Sequence, residues 1–516
     1  MALNVVIRKN TYFDSVSLMS LSTQANTIDG VDQVVVAMGT EMNKEVLRSI
    51  GMAVPAAEEA GSGDLMIVVK APSEDIGARA MAEVEELLVR RNKVKASAEM
   101  TYATLDSAAR HVPEANLAVI SVPGEYAARE ARKALDNDLH VMIFSDNVGI
   151  DDEIALKKAA HDKGLLVMGP DCGTAIIANV ALCFGNSVRR GNIGIVGASG
   201  TGSQEISVRV HDFGGGISQL IGTGGRDLSE KVGGIMMIDA MKALADDPAT
   251  EVIVLVSKPP AKSVEEKVLA QIEACGKPVI VCLLGGSEDA VKKAGGRFAR
   301  TTKEAALMAT ILGGMKEEEI DKHSLNLPLI EEVRAKLAPG QKYIRGLLCG
   351  GTLCDEMMLL AREKYDNVYS NIAKDDAHRL TEADRSREHT FIDFGDDAFT
   401  RGRPHPMIDP SLRIQRFRDE TRDPSVGVIV MDFIIGFGSH EDPVGVMLPA
   451  IVEAKERAKK EGRHLEILGY VLGTDQDTPS LDEQVQKLMA ADVTIASSCT
   501  NAGLLARGFV EKGERS

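Results

Sequence analysis

Three times in this chain a run of apolar residues ends in a glycine-rich corner and passes straight into a helical pattern. The three are GNIGIVGASGTGSQE (191–205), YIRGLLCGGTLCDEMM (343–358) and VGVIVMDFIIGFGSHEDP (426–443). A strand that is apolar on both sides must be covered on both sides, which helices do in doubly wound parallel sheets. Further apolar strands fit the same pattern, among them Leu117–Val122, Glu251–Val256, Pro278–Leu283 and LEILGYVLGTDQD (465–477). The fold class expected is therefore α/β, with several doubly wound parallel-sheet domains.

The 516 residues divide into a small N-terminal α/β unit (1–100), a Rossmann-like domain (101–190), a third unit (191–313), a charged linker with two prolines (314–341) and a fourth unit (342–516). In the first unit a strand at Leu3–Lys9, a helical pattern after Asp14, and strands at Val31–Met38 and Asp64–Lys70 predict a mostly parallel sheet. The net charge of −17 argues against a nucleic-acid partner, which requires clustered cations. The N-terminus MALNVVIRKN has no apolar signal core, and no apolar run reaches the ~18 residues of a membrane span. Seven scattered cysteines without a Cys-x-x-Cys pair read as reduced thiols, with no metal site. A cytoplasmic protein is expected.

Each corner suits an anion. Glycine lets the backbone approach a ligand, and the helix start adds unpaired N–H groups and the positive dipole end. The residues placed around a phosphate on these grounds are Ser199, Gly200, Thr201 and Gly202 in the first corner and Gly438 and Ser439 in the third. His440 is the candidate catalytic group, a donor or general acid; an exposed helix-start histidine is the plain alternative. Substrate contacts are assigned to Gly350, Gly351 and Thr352, to Gly224, Gly225 and Arg226 of the facing loop GTGGRD, and to Asp171 and Cys172 of GPDCG. A buried, inert thiol is the simpler reading of Cys172. Arg401 and Arg403 of RGRPHPMIDP are candidates to grip a carboxylate, with a surface loop as the alternative. GASGTG lacks the full dinucleotide spacing and a following ribose acid, so a nicotinamide cofactor is not expected.

From Leu117 to Leu283 the chain resembles the α subunit of succinyl-CoA synthetase. The residues that carry this are LAVISVPGEYAAREARKAL, VMGPDCG, GNIGIVGASGTGSQE, LIGTGGRDL and DPATEVIVLV. From Tyr343 to about Leu505 it resembles the carboxyl-terminal part of the β subunit, through LLCGGTLCDEMM, FIDFGDDAF and DPSVGVIVMDFIIGFGSHED. The combination is identified as a member of the FdrA family, often labelled acyl-CoA synthetase. The resemblance implies a CoA-binding-like domain, with Phe144, Ser145 and Asp146 in its CoA-like site, followed by two flavodoxin-like CoA-ligase domains. It also implies two helix N-termini facing one another across a phosphate, after Ser199-Gly200-Thr201 and after Gly438-Ser439-His440.

The departures are chemical. The stretch LLGGSEDAVKKAGGRFARTTKEA has no histidine where the synthetases carry the phosphorylated one. Lys258 stands where they hold an acid, Gln204 replaces a tyrosine and Cys349 an asparagine. The resemblance therefore implies an acyl-phosphate-dependent transferase without a phosphohistidine, with an oxamate carbamoyltransferase subunit of purine catabolism as the favoured case. Its ligands would be phosphate or carbamoyl phosphate and a carboxylate, alongside other protein subunits or a homo-oligomer. The rival readings are a CoA-dependent acyl-CoA ligase completed by a partner chain, and a non-catalytic scaffold.

Overall fold

The computed structural model describes residues 2–511 apart from 12, 14–17, 19, 20, 23, 27, 29, 96–100, 383, 401 and 402. By contacts the chain falls into two units, Met1–Ala115 with Asp397–Asp409, and Asn116–Asp396 with Pro410–Ser516.

The first unit is α/β, but its sheet is antiparallel. Leu65–Ala71 lies between Ala2–Arg8 and Gln33–Met38 and runs against both. The expected parallel sheet fails because a second, short helix, Pro55–Glu58, follows Glu41–Ser49 and gives the chain one more reversal before the last strand. Val34, Val36, Ile67 and Val69 pack one face with Leu18, Leu21 and Leu88. Most of the helical pattern expected after Asp14 lies outside the described residues.

The second unit holds three sheets. Leu117–Ile120, His140–Ile143 and Val167–Met168 form a small parallel sheet. A seven-stranded sheet runs in the order Arg297–Phe298, Val279–Leu283, Val252–Ser257, Arg190–Gly197, Ile217–Gly222, Thr174–Ile177, Val180–Cys183, with Thr174–Ile177 antiparallel to both its neighbours and the other pairs parallel. The third sheet is parallel throughout, in the order Val368–Ser370, His389–Asp393, Tyr343–Leu348, Val426–Ile434, Glu466–Leu472, Thr494–Ala496. Val252–Ser257 and Val426–Ile434 are buried at every residue, as their largely apolar sequences require, with Asp432 buried among them. The stretch 314–341 is not featureless: it contains a helix, Leu327–Lys336, capped by Asn326, with Ile330 and Val333 buried.

Open sheets keep ligands where the strand order reverses, beyond the carboxyl ends of the strands. In the seven-stranded sheet that place is the end of Arg190–Gly197, and in the six-stranded sheet the end of Tyr343–Leu348. Both ends lead into the glycine corners. Polar groups join the two halves of this unit. Asn186 Nδ2 donates to Ile435 O at 2.9 Å and to Asp477 at 2.8 Å, and Gln204 Nε2 donates to Asn186 Oδ1 at 3.0 Å. The buried Glu205 accepts from Tyr470 Oη and, at 3.1 Å, from Cys499 N. Among the described residues no helix is long and apolar enough to cross a membrane.

Candidate functional site

The first corner turns into the Gly200–Asp212 helix, capped by Ser199, whose Oγ accepts from Gly202 N at 3.1 Å. The second corner starts the Gly351–Arg362 helix, whose cap residue, Gly350, brings no side chain to its orphan N–H groups. These two helix starts meet. Ser199 Oγ and Thr352 Oγ1 share a hydrogen bond, a Cβ on Gly202 would lie 2.9 Å from Thr352 Cγ2, and one on Gly350 would lie 3.1 Å from Thr201 Cβ. Two positive dipole ends brought together repel unless negative charge sits near them.

Beside Ser199 opens a cleft of about 210 Å³. It is lined by Asp171–Thr174, Gly197–Gly200, Gly222, Gly224 and Gly225. Here the sequence has no latitude. Gly224 has φ +82°, and a Cβ there would lie 2.3 Å from Pro170 O; a Cβ on Gly222 would lie 2.4 Å from Cys172 Sγ. Cys172 is buried, which pushes its thiol up to about 12, and Sγ donates to Thr174 O at 3.5 Å. A thiol held protonated is no nucleophile at neutral pH.

Other candidate residues are placed differently from expectation. Arg226 is engaged internally: Nη2 donates to Val148 O at 2.9 Å and pairs with Glu153 at 2.9 Å. It braces a buried cluster in which Lys157 Nζ reaches Glu153 and Asp227, each at 2.8 Å. Asp227 in turn accepts from Met236 N and Met237 N at the start of the Ile235–Asp246 helix. Arg226 therefore fixes the GTGGRD loop to the Rossmann-like domain.

The third corner does not start a helix at Gly438, Ser439 or His440. The helix begins at Pro443, because Asp442 caps it by accepting from Gly445 N at 2.9 Å. Asp442 is held in turn by Gln484 at 2.8 Å and Lys487 at 2.6 Å. His440 Nδ1 accepts from Asp442 N at 3.0 Å, and Ser439 Oγ donates to Gly436 O at 2.7 Å, so both serve their own turn. The turn packs on the segment before the seven-stranded sheet's central strand: Phe437 N donates to Gly185 O at 2.9 Å, and a Cβ on Gly438 would meet Phe184 Cδ1 at 3.1 Å.

The second corner is partly filled from within. Cys349 N and Gly350 N both donate to Asp432 at 2.9 Å, and Arg413 Nη1 balances that carboxylate at 2.7 Å. Phe144 packs on Phe184 with ring centroids 5.3 Å apart. Ser145 Oγ accepts from Val122 N at 3.1 Å, while Asp146 lies exposed beyond it. Arg401 is outside the described residues, and Arg403 belongs by contacts to the first unit.

Two groups at this junction were not singled out as site residues. Asp393, 6% exposed, ends the His389–Asp393 strand and lies against Gly351. Lys258 follows the Val252–Ser257 strand and acts electrostatically on Asp393 and Asp355 of the other half. The signal for both is a charge at the very end of an apolar strand.

Comparison with known proteins agrees with this architecture. Residues 188–285 match the CoA binding domain family and residues 347–509 the CoA-ligase family. Residues 1–103 match the family described as AllF, heavy metal-associated domain. That stretch contains neither Cys nor His, so of the soft donors such metals select only Met is present. The α subunit of succinate–CoA ligase from Methanothermobacter thermautotrophicus is 26% identical over 230 residues, 43% of this chain and 76% of that one. Among solved structures, acetyl-coenzyme A synthetase 1 of Ca. Korarchaeum cryptofilum overlaps 80% of this chain and 85% of its own, at 15% identity and a TM-score of 0.36. Parallel sheets, paired corners and domain matches together define a member of the succinyl-CoA synthetase superfamily. Within it, the chain belongs to the family of the uncharacterized protein YahF of Escherichia coli K12, to which it is 62% identical over 514 residues, 100% of both chains.

Proposed function

We propose that this chain is an acyl-transferring subunit that works on a small acyl phosphate, carbamoyl phosphate being the favoured one, without passing phosphate through a histidine. The observation that carries this is the meeting of two helix starts at Ser199 and Thr352 beside the glycine-lined cleft. Preorganised N–H groups there stabilise the charge that grows on a leaving phosphate. No histidine occurs between His211 and His323 in the sequence. His211 sits in the last turn of its helix, with Nδ1 accepting from Arg189 N and Nε2 bonded to Asp475. The FdrA-type reading, oxalurate and phosphate giving oxamate and carbamoyl phosphate, is the particular reaction we favour.

The CoA-binding and CoA-ligase domain matches favour a second reading, an acyl-CoA synthetase completed by a partner chain. Thermal melting separates the two. A ligand at 100 times its Kd stabilises the folded chain by about 2.7 kcal/mol. Carbamoyl phosphate or phosphate is expected to raise the melting temperature; a shift with CoA alone moves the assignment to the ligase. Labelled ATP and Mg²⁺ are expected to leave no acid-labile, base-stable phosphoenzyme, and stoichiometric label on a histidine overturns the transferase reading.

Gly200→Val gives a local test. A Cβ there meets only Thr174 Oγ1, at 3.4 Å, so the fold tolerates it while the ligand's approach is blocked. Phosphate binding by calorimetry is expected to weaken about ten- to a hundredfold, or about 1.5–3 kcal/mol. Gly438→Val is expected to act otherwise: at φ +75° against Phe184 it lowers stability, and phosphate affinity stays within a few-fold. Equal loss of binding in both variants would put the third corner back at the ligand.

A further inference from the structure

The start of the Gly351–Arg362 helix carries polar groups that the cleft lining does not include. Asp393 Oδ1 accepts from Gly395 N at 2.8 Å, and Asn371 Nδ2 donates to its carbonyl at 3.0 Å. Its other carboxylate oxygen, Oδ2, is 2.7 Å from where a Cβ on Gly351 would stand and has no hydrogen-bond partner among the described residues. A residue only 6% exposed thus turns a carboxylate oxygen without a protein partner toward the first residue of a helix whose cap supplies no side chain. That oxygen is not among the fully sealed unpaired polar atoms, so water or a ligand can reach it. Lys258, half-buried at the end of the facing strand, likewise makes no hydrogen bond or ion pair to any described residue.

The electrostatics follow from the surroundings. Burial pushes Asp393 up to about 7, Gly395 N and Lys258 pull it down, and Asp396 and Asp432 push it further up. Asp432 is itself matched by Arg413, and Asp355, also raised by burial, shares Lys258. Asp393 is therefore a group at the helix junction whose charge is open to change near neutral pH.

We propose that Lys258 and Asp393 form a wall of the anion site, in which Lys258 holds the ligand's negative charge and Asp393 takes up a proton as the anion arrives. The ligand class is a tetrahedral dianion, phosphate or the phosphate end of an acyl phosphate. The proton comes from solvent: the carboxylate becomes a carboxylic acid and donates a hydrogen bond to an anion oxygen it would repel as a carboxylate. Such an acid can return that proton to a departing phosphate oxygen. This rests on the reading of the two helix starts as a phosphate-type site.

Sulfate is the probe, because it stays a dianion at neutral pH and any proton taken up belongs to the protein. Calorimetric titration of the full chain at pH 7, in two buffers of different ionisation enthalpy, counts those protons. We expect net uptake of up to about half a proton per sulfate, since a group titrating near neutrality is already half protonated at pH 7. Asp393→Asn, folded by its melting curve, is expected to bind sulfate as well as the parent or better with that uptake abolished. Lys258→Met is expected to raise Kd tenfold or more. Uptake unchanged in Asp393→Asn, or an unaltered Kd in Lys258→Met, overturns the proposal while leaving the anion site standing if Gly200→Val still weakens sulfate. No binding of sulfate or phosphate by the parent chain removes the underlying reading, and this one with it.

Discussion

Arg413→Met is expected to destabilise the chain by about 3–5 kcal/mol, the usual consequence of leaving a buried carboxylate without its cation. Arg413 is 2% exposed and donates through Nη1 to Asp432 Oδ1 at 2.7 Å and to Asp432 O at 2.6 Å. Asp432 is fully buried in a central strand of the six-stranded sheet and, among the described residues, otherwise accepts from two backbone amides and the Cys349 thiol. For a unit of this size the loss corresponds to a fall of ~4–6 °C in apparent melting temperature. Adding Asp432→Asn removes the buried charge while an amide oxygen still accepts from Gly350 N, so the double variant is expected to recover more than half of the fall. A drop of less than a few degrees in the single variant would mean that the two amides alone neutralise the carboxylate.

The opposite sign is expected at Glu356. Its carboxylate accepts from Thr302 N at 3.0 Å, from Thr302 Oγ1 at 2.7 Å and from Thr500 Oγ1, deep between the two halves of the second unit. Burial outweighs these bonds and pushes the group up to about 7 from 4.5. A folded-state value above the unfolded one means that its contribution to stability is full below about pH 4.5 and is lost as pH rises through about 7. At pH 8 the ionised form costs on the order of 3 kcal/mol, at ~1.4 kcal/mol for each pH unit between the two values. Glu356→Gln keeps an acceptor for Thr302 N, and its amide donates to a Thr500 hydroxyl turned the other way. The variant is expected to melt higher than the parent at pH 8, by up to ~4 °C. At pH 4.5 the two should melt alike. Identical pH profiles from pH 5 to 8 would show that the carboxyl stays neutral throughout, or is fully compensated when charged.

The second unit was legible because its strands announce themselves: a nine-residue stretch such as Val426–Ile434, apolar but for Asp432, has one stable home, the middle of a covered parallel sheet. Helix starts were legible only where the cap is local. Ser199 follows its strand directly and caps Gly202, so the first corner was placed from sequence. In GFGSHEDP three residues are plausible caps, and Asp442 prevails because Gln484 and Lys487, more than forty positions away, hold its carboxylate in place. The same reason hid the state of the second corner. Nothing in CGGT shows that its amides are spoken for, since Asp432 and Arg413 arrive from other elements. Arg226 looked free in GTGGRD because Glu153 lies on a different domain. The antiparallel N-terminal sheet was missed for a smaller reason, a four-residue helix too short to leave a periodic pattern.

The Gly200–Asp212 helix also has a history within each chain's synthesis. Its buried Glu205 finds Tyr470 only 265 positions later, and Cys499 later still, at 294. At ~5–20 residues per second, the growing chain carries that helix for roughly 15–50 s before the first of these partners leaves the ribosome. Through that interval a carboxylate destined for the interior must stay in water, and the apolar face around it must stay unsealed. The first half is thus held in a provisional state that the last fifty residues complete. A chain cut short before Tyr470 is expected to be a substrate for chaperones and proteases rather than a smaller working protein.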